Sequence, residues 1–223
     1  VWYCRKPALF MDIEATVYGC KPEGRDLEGI SELWVADLFN GPDDITYFET
    51  LYPSIPVKVV PWLWTPTIVE AYRKENNIPV WLQVNKKPDS WSLHICESNS
   101  SNTSSCTIPM VILRILDKSK FSKVAIHNSL EIEKTKYFKE NILNHCVSDD
   151  IKINLVGRQR IVDWCREPGS IILAHSRFIR LKQANLEAAW LGIPIVHNNP
   201  SLRDLGCGLE ELYYPDNRIG LAS

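Results

Sequence analysis

The chain has 223 residues, of which 45% are hydrophobic and 23% are charged, and these proportions are typical of a globular protein. They exclude a disordered, collagen-like or coiled-coil chain. The formal net charge is -2, so the overall charge gives no reason to expect nucleic acid as a partner. No apolar run of about eighteen residues is present, so no transmembrane segment is predicted.

The first ninety or so residues alternate between strand-like and helix-like patterns. The predicted elements are a strand or helix at 8–18, a buried strand at 33–39, a helix at 43–52 and a second strand at 57–64. Thr65 is predicted to cap a helix that begins at Pro66 and continues to about Lys74. The turn-rich stretch 75–90 then predicts a linker between two domains.

The alternation continues beyond the linker, with five strand-like runs separated by four helical segments. The strands are predicted at 91–96, 123–127, 151–156, 170–174 and 193–197, and the helices at 103–116, 131–145, 160–166 and 183–191. This order predicts a doubly wound parallel sheet, which binds its ligand beyond the carboxyl ends of the strands. We therefore expect an α/β protein with two domains, 1–88 and 89–223, and a ligand site in the second.

The cysteines and the paired aspartates indicate the cellular compartment and whether a metal site is expected. Seven widely spaced cysteines without a Cys-x-x-Cys pair predict free thiols in a reducing compartment, and therefore a cytoplasmic protein. No histidine pair has a metal-ligand spacing, and the pairs at 43–44 and 149–150 are interpreted as capping aspartates. No metal site is predicted.

Two polar segments follow predicted strands of the second domain. The first is a hydroxyl-rich loop before a helix, where backbone N–H groups and small polar side chains predict a phosphate site formed by Asn99, Ser100, Ser101, Asn102 and Thr103. In the second, Gly157 would let a planar base approach the backbone, while Arg158 and Arg160 would pair with a diphosphate. The alternative interpretations are a capped polar loop and a solvated basic turn.

The last two strands of the second domain also end in polar residues. His175 and Ser176 follow one strand, and His197, Asn198 and Asn199 end the other, where they would bind sugar hydroxyls or a diphosphate. A histidine that is hydrogen-bonded for purely structural reasons is the alternative. Between them, Glu187 stands in an otherwise apolar helix, and its carboxylate would accept hydrogen bonds from ribose hydroxyls unless it is simply exposed.

A family resemblance is carried by the segments 156–158, 171–176 and 187–199, which resemble the donor-binding half of glycosyltransferases of the GT-B class. Segments that include 11–14, 57–64, 97–99 and 213–217 are similar to an uncharacterised family of glycosyltransferase-like proteins from bacterial polysaccharide clusters and large DNA viruses. Two positions depart from these patterns. Ile179 stands where many retaining members have a glutamate, and Ser104 stands where the narrower family has a lysine.

The resemblance implies two Rossmann-like domains that face each other across a cleft, with an incomplete N-terminal domain. It implies a metal-independent enzyme without a cofactor, which moves a sugar from a nucleotide-diphosphate sugar to a glycan or glycoprotein acceptor. The catalytic base is not identified, and its candidates are Glu14, Asp37 and His197. A non-catalytic Rossmann-like binding or scaffold protein and a GT-B-like sugar-nucleotide epimerase remain the alternative functions.

Overall fold

The computed structural model describes residues 1–4, 28–37, 44–81, 88–100, 104–146, 152–167, 169–177, 179, 181–206 and 208–215. The chain forms two compact units, one made of Val1–Trp64 with Arg177–Arg180 and the other of Thr65–Ser176 with Leu181–Ser223. The domains expected from the sequence, 1–88 and 89–223, place the boundary further along the chain than these units do.

The first unit contains a three-stranded parallel sheet. Its strands lie side by side in the order β1 (Trp2–Cys4), β2 (Leu33–Ala36) and β3 (Val57–Val60), and helix α1 (Asp44–Leu51) connects the last two. The core of this unit is small and includes Phe48 of α1 packed with apolar residues of β2. The two predicted strands and the helix between them are thus found, with shorter strands, and the predicted element at 8–18 lies outside the described residues.

The second unit contains a five-stranded sheet in which every strand is parallel to its neighbours. The strands are β4 (Trp91–Ile95), β5 (Phe121–Ile126), β6 (Ile153–Leu155), β7 (Ser170–Ala174) and β8 (Ile195–His197). Their spatial order is β6-β5-β4-β7-β8, so the strand order reverses between β4 and β7. In open parallel sheets, such a reversal leaves a crevice at the carboxyl ends of the two strands. The predicted five-stranded parallel α/β sheet is confirmed.

The side chains of the central strands β4 and β7 are mostly buried, and helices alternate with the strands along the chain. They are α2 (Thr67–Glu75), α3 (Thr107–Leu113), α4 (Gln183–Leu191) and the short α5 (Pro200–Arg203). Fully buried apolar side chains from β4, β5 and α3, such as Ile95, Ile126 and Met110, form the core beneath them. None of the helices in the described part of the chain combines the length and the apolar composition that a membrane crossing requires.

Three predicted helices differ from the observed ones. Helix α2 begins at Thr67 with Pro66 in the N-cap position, so Thr65 is not the N-cap. The predicted helix 131–145 is broken into a 3-10 turn, a π-helical turn at Phe138–Leu143 and a final α-turn. The predicted helix 160–166 is a 3-10 helix, Ile161–Arg166.

Candidate functional site

The loop after β4 is held in place by a buried carboxylate, Glu97. Its Oε2 accepts hydrogen bonds from Ser104 Oγ at 2.6 Å and from Lys182 Nζ, and its Oε1 accepts one from the backbone N–H of His175 at 3.3 Å. Lys182, immediately before α4, also donates to the His175 carbonyl at 3.2 Å. Glu97 is 1% exposed, so its charge is compensated by Lys182 and two further donors rather than by water.

Asn99 shapes the same loop through its side-chain amide. Its Nδ2 donates to the carbonyl of His127 at 3.0 Å, and its Oδ1 accepts from the N–H of Cys106, just before α3, at 2.8 Å. The backbone of Asn99 is left-handed, with φ 54°, a conformation that asparagine tolerates better than most residues. Asn99 therefore fixes the loop, while the predicted phosphate ligands Ser101, Asn102 and Thr103 lie outside the described residues.

A cavity of about 720 Å³ lies where the segments after β4, β5, β6 and β7 come together with α2. Four of the side chains predicted from the sequence line it, namely Ser100, Arg158, Arg160 and Glu187. Its position in the second unit agrees with the crevice expected at a reversal of strand order.

The cavity lining has distinct polar and apolar parts. Hydroxyls come from Ser98 and Ser100, whose oxygens lie 3.1 Å apart. Positive charge comes from Arg158 and Arg160, since the Lys182 ammonium is paired with buried Glu97.

An apolar wall is formed by residues of α2 and of the 3-10 helix, including Val69, Ile161 and Val162. Tyr72 is also part of this wall. The Arg160 guanidinium lies over the Tyr72 ring, with its central carbon 4.4 Å from the ring centroid.

Glu187, in the middle of α4, contributes a carboxylate to this cavity. Its Oε1 accepts a hydrogen bond from Gln183 Nε2 at 2.7 Å, one turn earlier in the helix. Both side chains line the cavity. Glu187 therefore lines the same cavity as Arg158 and Arg160.

The ends of β7 and β8 are bound to each other instead of lining this cavity. The Ser176 N–H donates to Asn198 Oδ1 at 2.8 Å, and Asn198 Nδ2 donates back to the Ser176 carbonyl at 2.9 Å. His175 Nδ1 lies 3.1 Å from the Tyr214 hydroxyl. These predicted ligands are buried and join the strand ends.

His197 is fully buried, and both of its ring nitrogens are used within the second unit. Its Nδ1 accepts from the Asn199 N–H at 3.1 Å, so its Nε2 carries the proton and donates to the Leu209 carbonyl at 3.1 Å. Burial lowers the pKa of His197. Asn199 Oδ1 accepts from the Leu202 N–H and thereby caps α5. Neither residue lines the cavity, and the structural interpretation of His197 fits these contacts.

The three remaining sequence candidates have different positions. Gly157 is not part of the cavity lining, and a Cβ there would lie 3.3 Å from Leu130 Cδ1, so its small size serves local packing. Asp37, in the first unit, accepts a hydrogen bond from the Trp62 N–H at 3.1 Å. Glu14 lies outside the described residues.

Several cavity residues were missed by the sequence analysis. Lys182 and Tyr72 looked like ordinary helix-terminal and helix residues, and only the fold brings them to the strand ends. His127 and Trp164 also line the cavity. The position of His127 directly after a buried strand is a sequence signal that could have marked it, and no such signal marks Trp164.

No group that could hold a metal ion occurs among the described residues. Four of the cysteines within those residues, Cys96, Cys106, Cys146 and Cys165, are free thiols. Burial is the main cause that raises the pKa of each thiol, to about 12 for Cys106 and about 11 for Cys165. These thiols are therefore protonated near neutral pH and poorly nucleophilic.

Comparison with known proteins identifies the family. A family model described as "Protein of unknown function (DUF2827)" matches residues 8–223, so the chain belongs to this family. No curated protein and no solved structure matches the chain.

Proposed function

We propose that this protein is a glycosyltransferase of the GT-B type, which moves a sugar from a nucleotide-diphosphate sugar to a hydroxyl of a glycan or glycoprotein. In this proposal the second unit binds the donor. The supporting observation is the cavity at the reversal of strand order, which combines hydroxyls, two arginines and one carboxylate.

The diphosphate would bind to Arg158 and Arg160. The planar guanidinium group matches phosphate oxygens in a bidentate geometry, and the hydroxyls of Ser98 and Ser100 can donate to the same group. During transfer, negative charge grows on the departing diphosphate, and the two arginines would stabilise it. The proposed reaction therefore uses no metal ion.

The nucleoside would occupy the remaining lining of the cavity. The Glu187 carboxylate can accept hydrogen bonds from ribose hydroxyls, while Gln183 holds it in place. The apolar wall of Val69, Ile161 and Val162 offers a dry surface to a planar base. This wall takes over the role that the sequence analysis assigned to Gly157.

The acceptor side of the reaction needs a general base. The base that activates the acceptor hydroxyl would come from outside the donor cavity, and Glu14 and Asp37 remain its candidates. The free thiols support a cytoplasmic location for this activity.

A panel of nucleoside diphosphates and nucleotide sugars, each added in a thermal-shift experiment, tests donor binding. A ligand at 100 times its Kd stabilises the folded state by about 2.7 kcal/mol, so a selective donor should raise the melting temperature clearly. Donors that raise it are then incubated with the protein, and release of the nucleoside diphosphate is measured.

Slow release without acceptor is the result expected of a glycosyltransferase. A scaffold would bind the donor without releasing the diphosphate, and an epimerase would change the sugar while keeping it attached. Failure of the whole panel to change the melting temperature would contradict the proposal.

A further inference from the structure

Two buried histidines lie side by side at the ends of β4 and β5. His94 Nδ1 and His127 Nε2 are 3.1 Å apart, and each side chain is only 2% exposed. The Trp164 ring lies against both imidazoles, with 4.4 Å between ring centroids in each case. His127 and Trp164 also line the cavity, so this cluster forms part of its wall.

A carboxylate lies at the far side of His94. Glu167 Oε2 is 3.7 Å from His94 Nε2, and Glu167 Oε1 pairs with Lys123. Burial is the largest cause that lowers the pKa of both histidines, to about 3 in each case. Each ring is therefore neutral near pH 7 and carries a single proton.

Glu167 Oε2 lies beyond hydrogen-bond distance of His94 Nε2, but its negative charge favours one placement of those two protons. If His94 Nε2 were bare, its lone pair would face the Glu167 oxygen, which is repulsive, so the proton of His94 belongs on Nε2. His94 Nδ1 is then bare and accepts a hydrogen bond from His127 Nε2–H. The single proton of His127 is thereby placed on Nε2, and its Nδ1 is a bare acceptor.

Within the described part of the chain, that acceptor is buried and lacks a hydrogen-bond partner, and so does His94 Nε2 at the other end of the pair. A buried acceptor without a partner is unfavourable, and a ligand donor that reaches it would gain both affinity and selectivity. We propose that Glu167, acting through His94, sets His127 Nδ1 as a hydrogen-bond acceptor for an N–H or O–H group of the ligand bound in the cavity. The ligand in this inference is the nucleotide sugar of the proposed function.

NMR spectroscopy can show directly which ring nitrogens of the two histidines carry a proton. Long-range ¹H–¹⁵N spectra of the ¹⁵N-labelled full chain at pH 7 distinguish bare from protonated ring nitrogens, and the signals of His127 are assigned by their loss in His127→Phe. We expect a bare Nδ1 and a protonated Nε2 in both His94 and His127. Glu167→Ala should mix the two tautomers, whereas Glu131→Ala, at an exposed ion pair with Lys134, should not.

The second arm adds UDP, GDP, UDP-glucose and GDP-mannose separately. We expect a compound that raises the melting temperature to change the ¹⁵N shift of His127 Nδ1 in the direction of hydrogen-bond acceptance. If the nucleoside diphosphate by itself causes the change, the group that donates the hydrogen bond to His127 belongs to the base or the ribose. If only the nucleotide sugar causes it, that group is a hydroxyl of the sugar. His127→Phe should weaken the binding of that compound about tenfold.

The outcomes separate this inference from the proposed function. A protonated His127 Nδ1 in the free protein overturns the inference, as does a bare Nδ1 that no binding compound changes. In the second case nucleotide binding itself still stands. If none of the four compounds raises the melting temperature, the proposed function fails for these donors and the ligand role of His127 fails with it. If His127→Phe does not fold, His127→Gln is used to assign the signals of His127 instead.

Discussion

At the scale of single residues, the His94 and His127 pair is the clearest source of pH dependence. Both rings are buried against Trp164, and the charged groups that face them are Glu167 and Lys123. Burial contributes most to lowering the pKa of each ring to about 3, well below the ordinary histidine value. The folded protein therefore resists protonation at these positions.

We expect the free energy of unfolding to fall by roughly 4 kcal/mol between pH 7 and pH 5 because of these two rings. In the unfolded chain each ring takes up a proton near pH 6.5, whereas in the folded protein it does so only near pH 3. Between these values the unfolded state binds more protons, so stability rises with pH. Urea unfolding at pH 5, 6 and 7 measures this slope.

His127→Phe should flatten the slope, because one buried ring that resists protonation is removed. The exposed His145 provides the control, and His145→Gln should leave the slope unchanged. Equal stability of the wild-type protein at pH 5 and pH 7 would show that the pair titrates normally.

At the scale of elements, Glu97 joins the ends of β4 and β7 to the segments that precede α3 and α4. It does so through Ser104, His175 and Lys182. Removal of one partner of a buried ion pair leaves the other charge uncompensated, which costs more than the loss of an exposed pair.

We expect Glu97→Ala to lower the free energy of unfolding by about 3–5 kcal/mol in urea titrations at pH 7. The Lys182 ammonium, whose side chain is 11% exposed, would lose its counter-charge in this variant. Glu131→Ala, at an exposed pair, should change the same quantity by less than about 0.5 kcal/mol. If the two substitutions lowered the free energy of unfolding by similar amounts, Glu97 would not be what holds these segments together.

Some elements could be predicted from the sequence to the residue. The observed bounds of β7 and α4 are those predicted, because Gly169 and Gly192 mark the start of one and the end of the other with positive φ values of 73° and 76°. The helix predicted at 131–145 was wrong, since Thr135 is extended and its hydroxyl accepts from the Phe138 N–H at 3.3 Å. Such a local competitor for the backbone cannot be recognised from periodicity.

The candidate site could also be predicted only in part from the sequence. Because parallel strands end at one edge, the sequence could place Arg158 and Glu187 near each other. It could not predict that Asn99 and His197 would use their side chains within the protein, because their partners include carbonyls of His127 and Leu209, which are distant in the chain. Side-chain partners of this kind depend on the folded backbone.

At the scale of the whole molecule, the chain belongs to a family of unknown function, and its second unit has a cavity that is suited to an anionic ligand. The five-stranded parallel sheet explains the position of the cavity, and Arg158, Arg160 and Glu187 explain its chemistry. The central claim is that these side chains hold a nucleotide sugar in the second unit.

Titration calorimetry with the nucleotide that stabilises the protein most tests this claim directly. We expect Arg158→Ala and Glu187→Ala each to raise the Kd at least tenfold, equivalent to about 1.4 kcal/mol, while Arg114→Ala at the end of α3, outside the cavity lining, leaves it unchanged. Folding of each variant is verified by its melting temperature without ligand. Unchanged affinity in both cavity variants would contradict the claim.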